Sequence, residues 1–164
     1  MADTGIKYGT SSLGVTLSYG IGTYAEKPSA FTLLNRINDL GETAAEQENI
    51  DASALEDQES HNIPGRTSVS DSKEVAVNET DKTVAEWEKV ISDYKAMESG
   101  QCMWFQTITP GLSKASFIIA APPSILPDSA KGQNGLNVMN IPLTVEAMKG
   151  RDTKITPSAN TAGE

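Results

Sequence analysis

Chemistry needs partners, and this sequence has few of them. It holds a single cysteine, Cys102, so neither a disulfide nor a CxxC metal or redox site can form within the chain. Cys102 lies in the apolar run Cys102-Met103-Trp104-Phe105 and reads as a small core residue. The single histidine, His61, has no second imidazole with which to share a metal and reads as a solvated loop residue. No Ser-His-Asp, Cys-His or paired-carboxylate site can be argued from spacing: pairs such as Glu46 and Glu48 are abundant but unfocused. There is no Walker loop and no basic-aromatic patch. No apolar run approaches the roughly 18 residues of a membrane-spanning helix. The start, Met1-Ala2-Asp3-Thr4-Gly5, shows no apolar signal segment. The expectation is a protein first kept in a reducing cytosol, not inserted in a membrane, without catalytic site, metal or cofactor.

Positive charge is also scarce. Thirteen Lys and Arg face 22 Asp and Glu, a net charge of -9. Acidic surfaces repel phosphate, which excludes ordinary nucleic-acid binding. Between Arg36 and Arg66 there is no Lys or Arg, yet Asp39, Glu42, Glu46, Glu48, Asp51, Glu56, Asp57 and Glu59 all fall there. One reading is a solvated acidic loop; the sharper one is a surface that keeps its distance from DNA.

What remains is one domain's worth of chain, 164 residues with 5% aromatics. Residues 1–30 are rich in Gly, Ser and Thr and read as an N-terminal arm, with Val15 to Tyr19 alternating like a short strand. Phe31 to Ile37 reads as a strand closed by a turn at Asn38-Asp39-Leu40-Gly41. Glu48 to Leu55 reads as a second strand, with Ile50 and Ala52 on one face and Asp51 on the other. Residues 56–72 show no period and read as a long loop, functional or disordered. Lys73 to Asn78 alternates as a third strand.

The one good helix spans 80–99. Val84, Trp87, Val90, Ile91, Tyr94 and Met97 draw a single apolar stripe. Val84, Trp87, Ile91 and Tyr94 are the expected anchors into the core. Thr80 or Asp81 caps the start, and Gly100 marks the stop. Met103 to Thr109, the turn Pro110-Gly111 and Ser116 to Ala121 read as a hairpin, followed by the breakers Pro122, Pro123 and Pro127. Leu136 to Met148 is the last long strand, with Met139, Ile141, Leu143, Val145 and Ala147 on one face. Pro142 in it must sit at an edge or bulge. Residues 150–164 read as a flexible tail. The pattern is mainly β: an α+β domain over 31–149 whose sheets make a small sandwich or barrel flanked by one helix.

Two motifs match by letter only. Gly20-Ile21-Gly22-Thr23-Tyr24-Ala25 fits the dinucleotide pattern, but Pro28 follows and no helix does. Asn78-Glu79-Thr80 is a glycosylation sequon, better explained as a strand end and helix cap.

Taken in order, several pieces resemble the major tail tube proteins of long-tailed (siphovirus-like) bacteriophages. They are the glycine-rich opening Gly9 to Gly20, the turn Leu40-Gly41, the strand Ile50-Asp51-Ala52-Ser53-Ala54-Leu55 and the step Ile63-Pro64-Gly65. A strand, one amphipathic helix, Trp104-Phe105, the turn Pro110-Gly111 and a last strand, Asn137 to Met148, follow. The resemblance covers about residues 5–150. It departs at Gly111 to Lys114 and at the Pro-rich stretch 122–127.

The resemblance implies a structural virion protein with a β-sandwich-like fold. Six copies form a ring whose inner sheets join into a barrel, and rings stack into the tube for DNA ejection. The implied partners are further copies of the chain and the tail terminator, tape-measure and tail-tip proteins. Viral DNA would pass without specific binding, and assembly would occur in the host bacterial cytoplasm. Under that reading Glu46, Glu48, Asp51 and Glu146 are candidate lumen-facing acids. Glu56, Asp57, Ile63, Pro64, Gly65 and Arg66 are a candidate contact loop between subunits or rings. Two alternatives stay open: the inner tube of a contractile tail or type VI-like secretion system, and an extracellular β-type binding domain carrying exposed aromatics.

Overall fold

The computed structural model describes residues 9–163. The first eight residues of the expected arm lie outside them.

The chain runs β1 (Thr16–Thr23), β2 (Thr32–Leu34), β3 (Ile37–Leu40), β4 (Ala45–Asp51), β5 (Asn62–Val69) and β6 (Ser72–Asn78). Then come α1 (Asp81–Lys95), β7 (Gln101–Ile108), β8 (Lys114–Ala121) and β9 (Val138–Thr153). Seven strands form one sheet in the order β2-β1-β7-β8-β9-β6-β3, and β4 pairs with β5 in a separate ribbon. All strand pairings are antiparallel. Among the described residues the fold is mainly β with one helix, the α+β class the alternating patterns imply.

The order of the sheet holds its main surprise. Its two edges, β2 and β3, are consecutive in sequence and separated only by Asn35 and Arg36. Two residues span at most about 10 Å between the strand ends, so the sheet curls until its edges meet at this corner. No hydrogen-bonded pairing joins β2 to β3, so the curl is not a closed barrel. The corner is held from the helix. The carboxylate of Glu86, fully buried, accepts from the Asn35 backbone N–H at 3.1 Å and from its side-chain amide at 2.5 Å. Arg36 takes the left-handed conformation, φ 56°, that turns the chain between the two edges.

The concave face and α1 enclose the larger core. Leu17 and Tyr19 of β1, Met103 and Phe105 of β7, Ile118 of β8, Ile141 and Leu143 of β9 and Val75 and Val77 of β6 meet Trp87 and Val90. Trp87 stacks on Phe105 with ring centroids 6.5 Å apart. Val84 and Tyr94 pack at the margin, and Ile91 is buried. Thr80 caps α1 in a capping box with Thr83, whose hydroxyl accepts from the Thr80 backbone N–H. The helix ends at Lys95, short of Gly100, which instead makes the turn into β7 at φ 87°.

A second, smaller core lies on the convex face. Phe31, Trp104, Phe117, Ile119 and Ala147 build it, with Cys102, Ile108 and Ile155 at its rim. It is covered by two segments expected to be loose. One is the connection from β1 to β2. A Cβ on Gly20 would come within 2.5 Å of the Ala30 carbonyl oxygen, and one on Gly22 within 2.9 Å of Pro28. The glycines of the dinucleotide-like pattern therefore let this connection lie flat on β1.

The other segment is the C-terminal stretch, which is no free tail. Gln106, fully buried, accepts from Ile155 N–H at 2.9 Å and donates to the Ile155 carbonyl at 2.8 Å and the Ser18 hydroxyl at 3.1 Å. Ser158 then pairs with the free edge of β2, its N–H donating to Phe31 and its carbonyl accepting from Leu33. A segment poor in apolar residues is thus ordered by backbone pairing, which composition does not report.

Other expectations are corrected as well. Thr16–Thr23 is no arm but an inner strand, flanked by β2 and β7, with Leu17 and Tyr19 buried. The turn expected at Asn38 to Gly41 is largely strand β3, paired with β6. The strand expected at Glu48 to Leu55 begins at Ala45 and ends at Asp51. Much of the expected loop 56–72 is strand: Ile63, Pro64, Gly65 and Arg66 all lie in β5, paired with β4.

Ala147 does not share a face with Met139, Ile141 and Leu143. The partners of β8 jump from Val145 to Ala147 between Ala120 and Ile119, leaving Glu146 in a bulge. That extra residue flips Ala147 to the convex core and Met148 to the concave one. Pro142 is placed as strand physics requires. Asn140 N–H faces away from β6 to the Ser129 hydroxyl, and the nitrogen of Pro142, two residues on, faces the same way. There β8 has already ended, opposite Thr144, so no ladder bond is lost.

Candidate assembly surface

The ribbon of β4 and β5 has the least cover of the described strands. Every β4 side chain is exposed, and on β5 only Gly65 and Val69 are partly covered. Ile50 and Ile63 pair across the ribbon, each 51% exposed, and Leu55 at the tip is fully exposed. An isolated two-stranded hairpin is marginal in water. This one is fastened to the body at its base. The Ala44 carbonyl accepts from Ser70 N–H at 2.9 Å, and the Asp71 carbonyl accepts from Val145 N–H of β9 at 3.0 Å. Lys73 beneath it reaches the Thr43 hydroxyl at 3.3 Å, and burial holds its ammonium pKa below the usual lysine value.

The tip is nonetheless ordered. Ala52 N–H donates to the His61 carbonyl and His61 N–H to the Ser53 hydroxyl. Asp57 closes a turn: its carboxylate accepts from Ala54 N–H at 2.6 Å, and its own N–H donates to the Ala54 carbonyl at 3.0 Å. The Ser53 hydroxyl and then its backbone N–H stabilise the Asp51 carboxylate and lower its pKa. Glu56 is exposed beside Leu55.

The structure divides the four candidate lumen acids. Gln47 pairs with Thr67 and Asn49 with Pro64, so Gly65 and Arg66 together oppose Glu48 and the bulge lies on β5. β4 therefore alternates regularly. Glu46, Glu48 and Ile50 share one face, and Asp51 lies on the other. Glu146 is exposed in the β9 bulge, next to Val145 at the ribbon's base and apart from the ribbon.

No protein-family model matches the chain, and no curated protein matches it in sequence. A solved structure does match in fold. It is a chain in the cryo-EM structure of the anti-feeding prophage (AFP) baseplate, 6-fold symmetrised, with TM-score 0.50 and 12% identity over 82% of this chain and 90% of that one. The likeness is one of fold.

Sequence reasoning missed a second charged surface. Lys114, at the start of β8, pairs with Thr153 at the end of β9. Lys149, Arg151 and Lys154 follow closely, and Lys27 joins them from the β1–β2 connection. Lys27 binds Asp152 at 3.2 Å and the Thr153 carbonyl at 2.7 Å. The Thr153 N–H first and Lys27 second hold the Asp152 carboxyl below its usual pKa. Lys149 stands 3.6 Å over the Tyr24 ring. The run 149–154 was visible in the sequence, but Lys27 and Lys114 reach it only through the sheet. Among the described residues no group of His, Cys, Asp and Glu could hold a metal ion, and no helix is long and apolar enough to cross a membrane.

Proposed function

We propose that this chain is a structural subunit of a phage-type tail, and that its copies join into rings stacked around a channel for viral DNA. The observation that carries the reading is the fold likeness, over most of both chains, to a chain of a six-fold symmetrised prophage baseplate. The role is architectural, not catalytic.

The ribbon supports it physically. It extends roughly 20 Å at the usual rise per strand residue. Its edges are unpaired, so it gains backbone hydrogen bonds from pairing with a neighbour. Six ribbons joined edge to edge would form a continuous wall, with the face of Glu46 and Glu48 turned to the lumen. Carboxylates there would repel phosphates and leave DNA hydrated and free to slide, within the roughly 8 Å reach of charge at physiological salt. Asp51, on the opposite ribbon face, would lie outside that wall.

A second reading, the inner tube of a contractile tail or type VI-like apparatus, draws on the same neighbour, since its source is a baseplate. A binding domain would need a group of exposed aromatics, whereas Trp87 and Trp104 are both buried and the exposed Tyr24 lies under Lys149. Negative-stain microscopy of the purified protein, dilute and concentrated, tests the proposal. Hollow rings or tubes with a lumen that admits duplex DNA are expected. Particles without a channel, or monomers at every concentration, would refute it.

A further inference from the structure

The acidic tip and the basic end are two different surfaces of one chain, and their chemistries match. Leu55 projects from the tip with no cover, beside the exposed Glu56, on a turn already fixed by the two Ala54–Asp57 hydrogen bonds. At the other surface Leu112, Ser113, Lys114 and Arg151 line one shallow depression. Leu112 is partly covered there, while Lys114 and Arg151 are exposed. Among the described residues neither of these two cations has a carboxylate within ion-pair distance. The depression thus offers an apolar floor between two positive charges, Lys114 with the Asp152 carboxylate in its neighbourhood and Arg151, and the tip presents an apolar side chain next to a negative one.

We infer that the Ala54–Asp57 turn of one copy docks into the Leu112–Lys114–Arg151 depression of a second copy, with Leu55 on Leu112 and Glu56 between Lys114 and Arg151. The occupant is another copy because this chain carries both halves of the contact, and the local positive patch offsets the repulsion between copies of net charge -9. A local positive patch in an acidic protein gives the approach a direction. The turn is pre-organised, so little ordering entropy opposes docking. The two halves use different residues, so each copy can offer its tip to one neighbour and its depression to another, an arrangement that propagates a ring or a stack. The inference rests on the tail-subunit reading and supplies one of its contacts.

The test uses two variants of the full chain, the socket variant Lys114→Glu/Arg151→Glu and the tip variant Leu55→Ser/Glu56→Lys. All four positions are solvent-facing, and unchanged thermal unfolding will show that both variants fold. Assembly is followed by sedimentation velocity and microscopy at about 50 mM and about 500 mM salt, a range over which exposed charge pairs are progressively screened. Wild-type assembly should fall at high salt, and each variant alone should need at least tenfold more protein to assemble. Mixed in equal amounts, they should associate at a lower protein concentration than either variant alone, since an intact tip then meets an intact socket. Variants that assemble like wild type overturn the docking and leave the tail reading standing. Wild-type monomers at every concentration and salt overturn both. A mixture that associates no better than either variant alone overturns the complementary contact.

Discussion

Replacing Gln106 with alanine should loosen the C-terminal segment and the convex core together. The side chain is fully buried and makes three hydrogen bonds, two to Ile155 and one to Ser18, at 2.8–3.1 Å. Each is worth about 1 kcal/mol net, and the space left by the amide adds to the loss. Q106A should therefore cost about 2–4 kcal/mol. Truncation after Thr153 should also destabilise, because it uncovers the cluster of Phe31, Trp104 and Phe117. The two losses must not add. Two of the three bonds end on Ile155, so in the truncated chain Q106A should cost less by about 1–2 kcal/mol. Urea unfolding followed by tryptophan fluorescence, over the wild type, each variant and the double variant, measures that coupling. Trp104 belongs to the affected cluster, so the probe is local as well as global. Additive losses would mean that the segment does not engage Gln106, and the reasoning would fail.

Two further predictions concern the concave core. Tyr19 donates to Asp93 at 2.9 Å, and burial followed by this bond raises the phenol pKa above its ordinary value of 10.0. The neutral phenol is the favoured form, so its contribution is complete below pH 10 and is lost as pH rises beyond it. Wild-type stability should fall over that range. Y19F should be weaker by about 1 kcal/mol at neutral pH and show a shallower alkaline decline in urea titrations; an unchanged slope would count against the assignment. E86A removes both acceptors of the Asn35 corner and should cost about 2–4 kcal/mol. Hydrogen exchange should then speed up at residues 35–40 more than in β7 and β8, and uniform acceleration would contradict a seam held by Glu86.

The elements that were legible in the sequence are those whose own periodicity carries the signal. The stripe through Trp87, Val90 and Ile91 is the helix's buried face, and Thr80 is its cap. The hairpin around Pro110-Gly111 was readable because its strands are short apolar runs, buried on both faces, about a turn, and the strand from Met139 to Leu143 because one face is buried. The ribbon was half legible. Both faces of β4 are exposed, so no alternation marks its ends, and polar β5 with Pro64 and Gly65 looks like a loop. The tail and the basic end were not legible, since Ser158 is ordered by a strand edge 126 residues earlier and Lys27 by a strand at the other end of the chain.

By itself, then, the sequence determined the class of the fold, the helix and its buried face, and the scarcity of catalytic and metal-binding groups. These follow from composition and from local period, which a short window contains. Tertiary structure alone decided that the sheet curls until β2 and β3 meet, that Glu86 holds that corner, and that Gln106 ties down the C-terminal segment. It also decided that an acidic tip and a basic end stand on separate surfaces. Each of these depends on strand order and on bulges such as that at Glu146. Pairing between distant strands fixes both, and no local window of sequence records it.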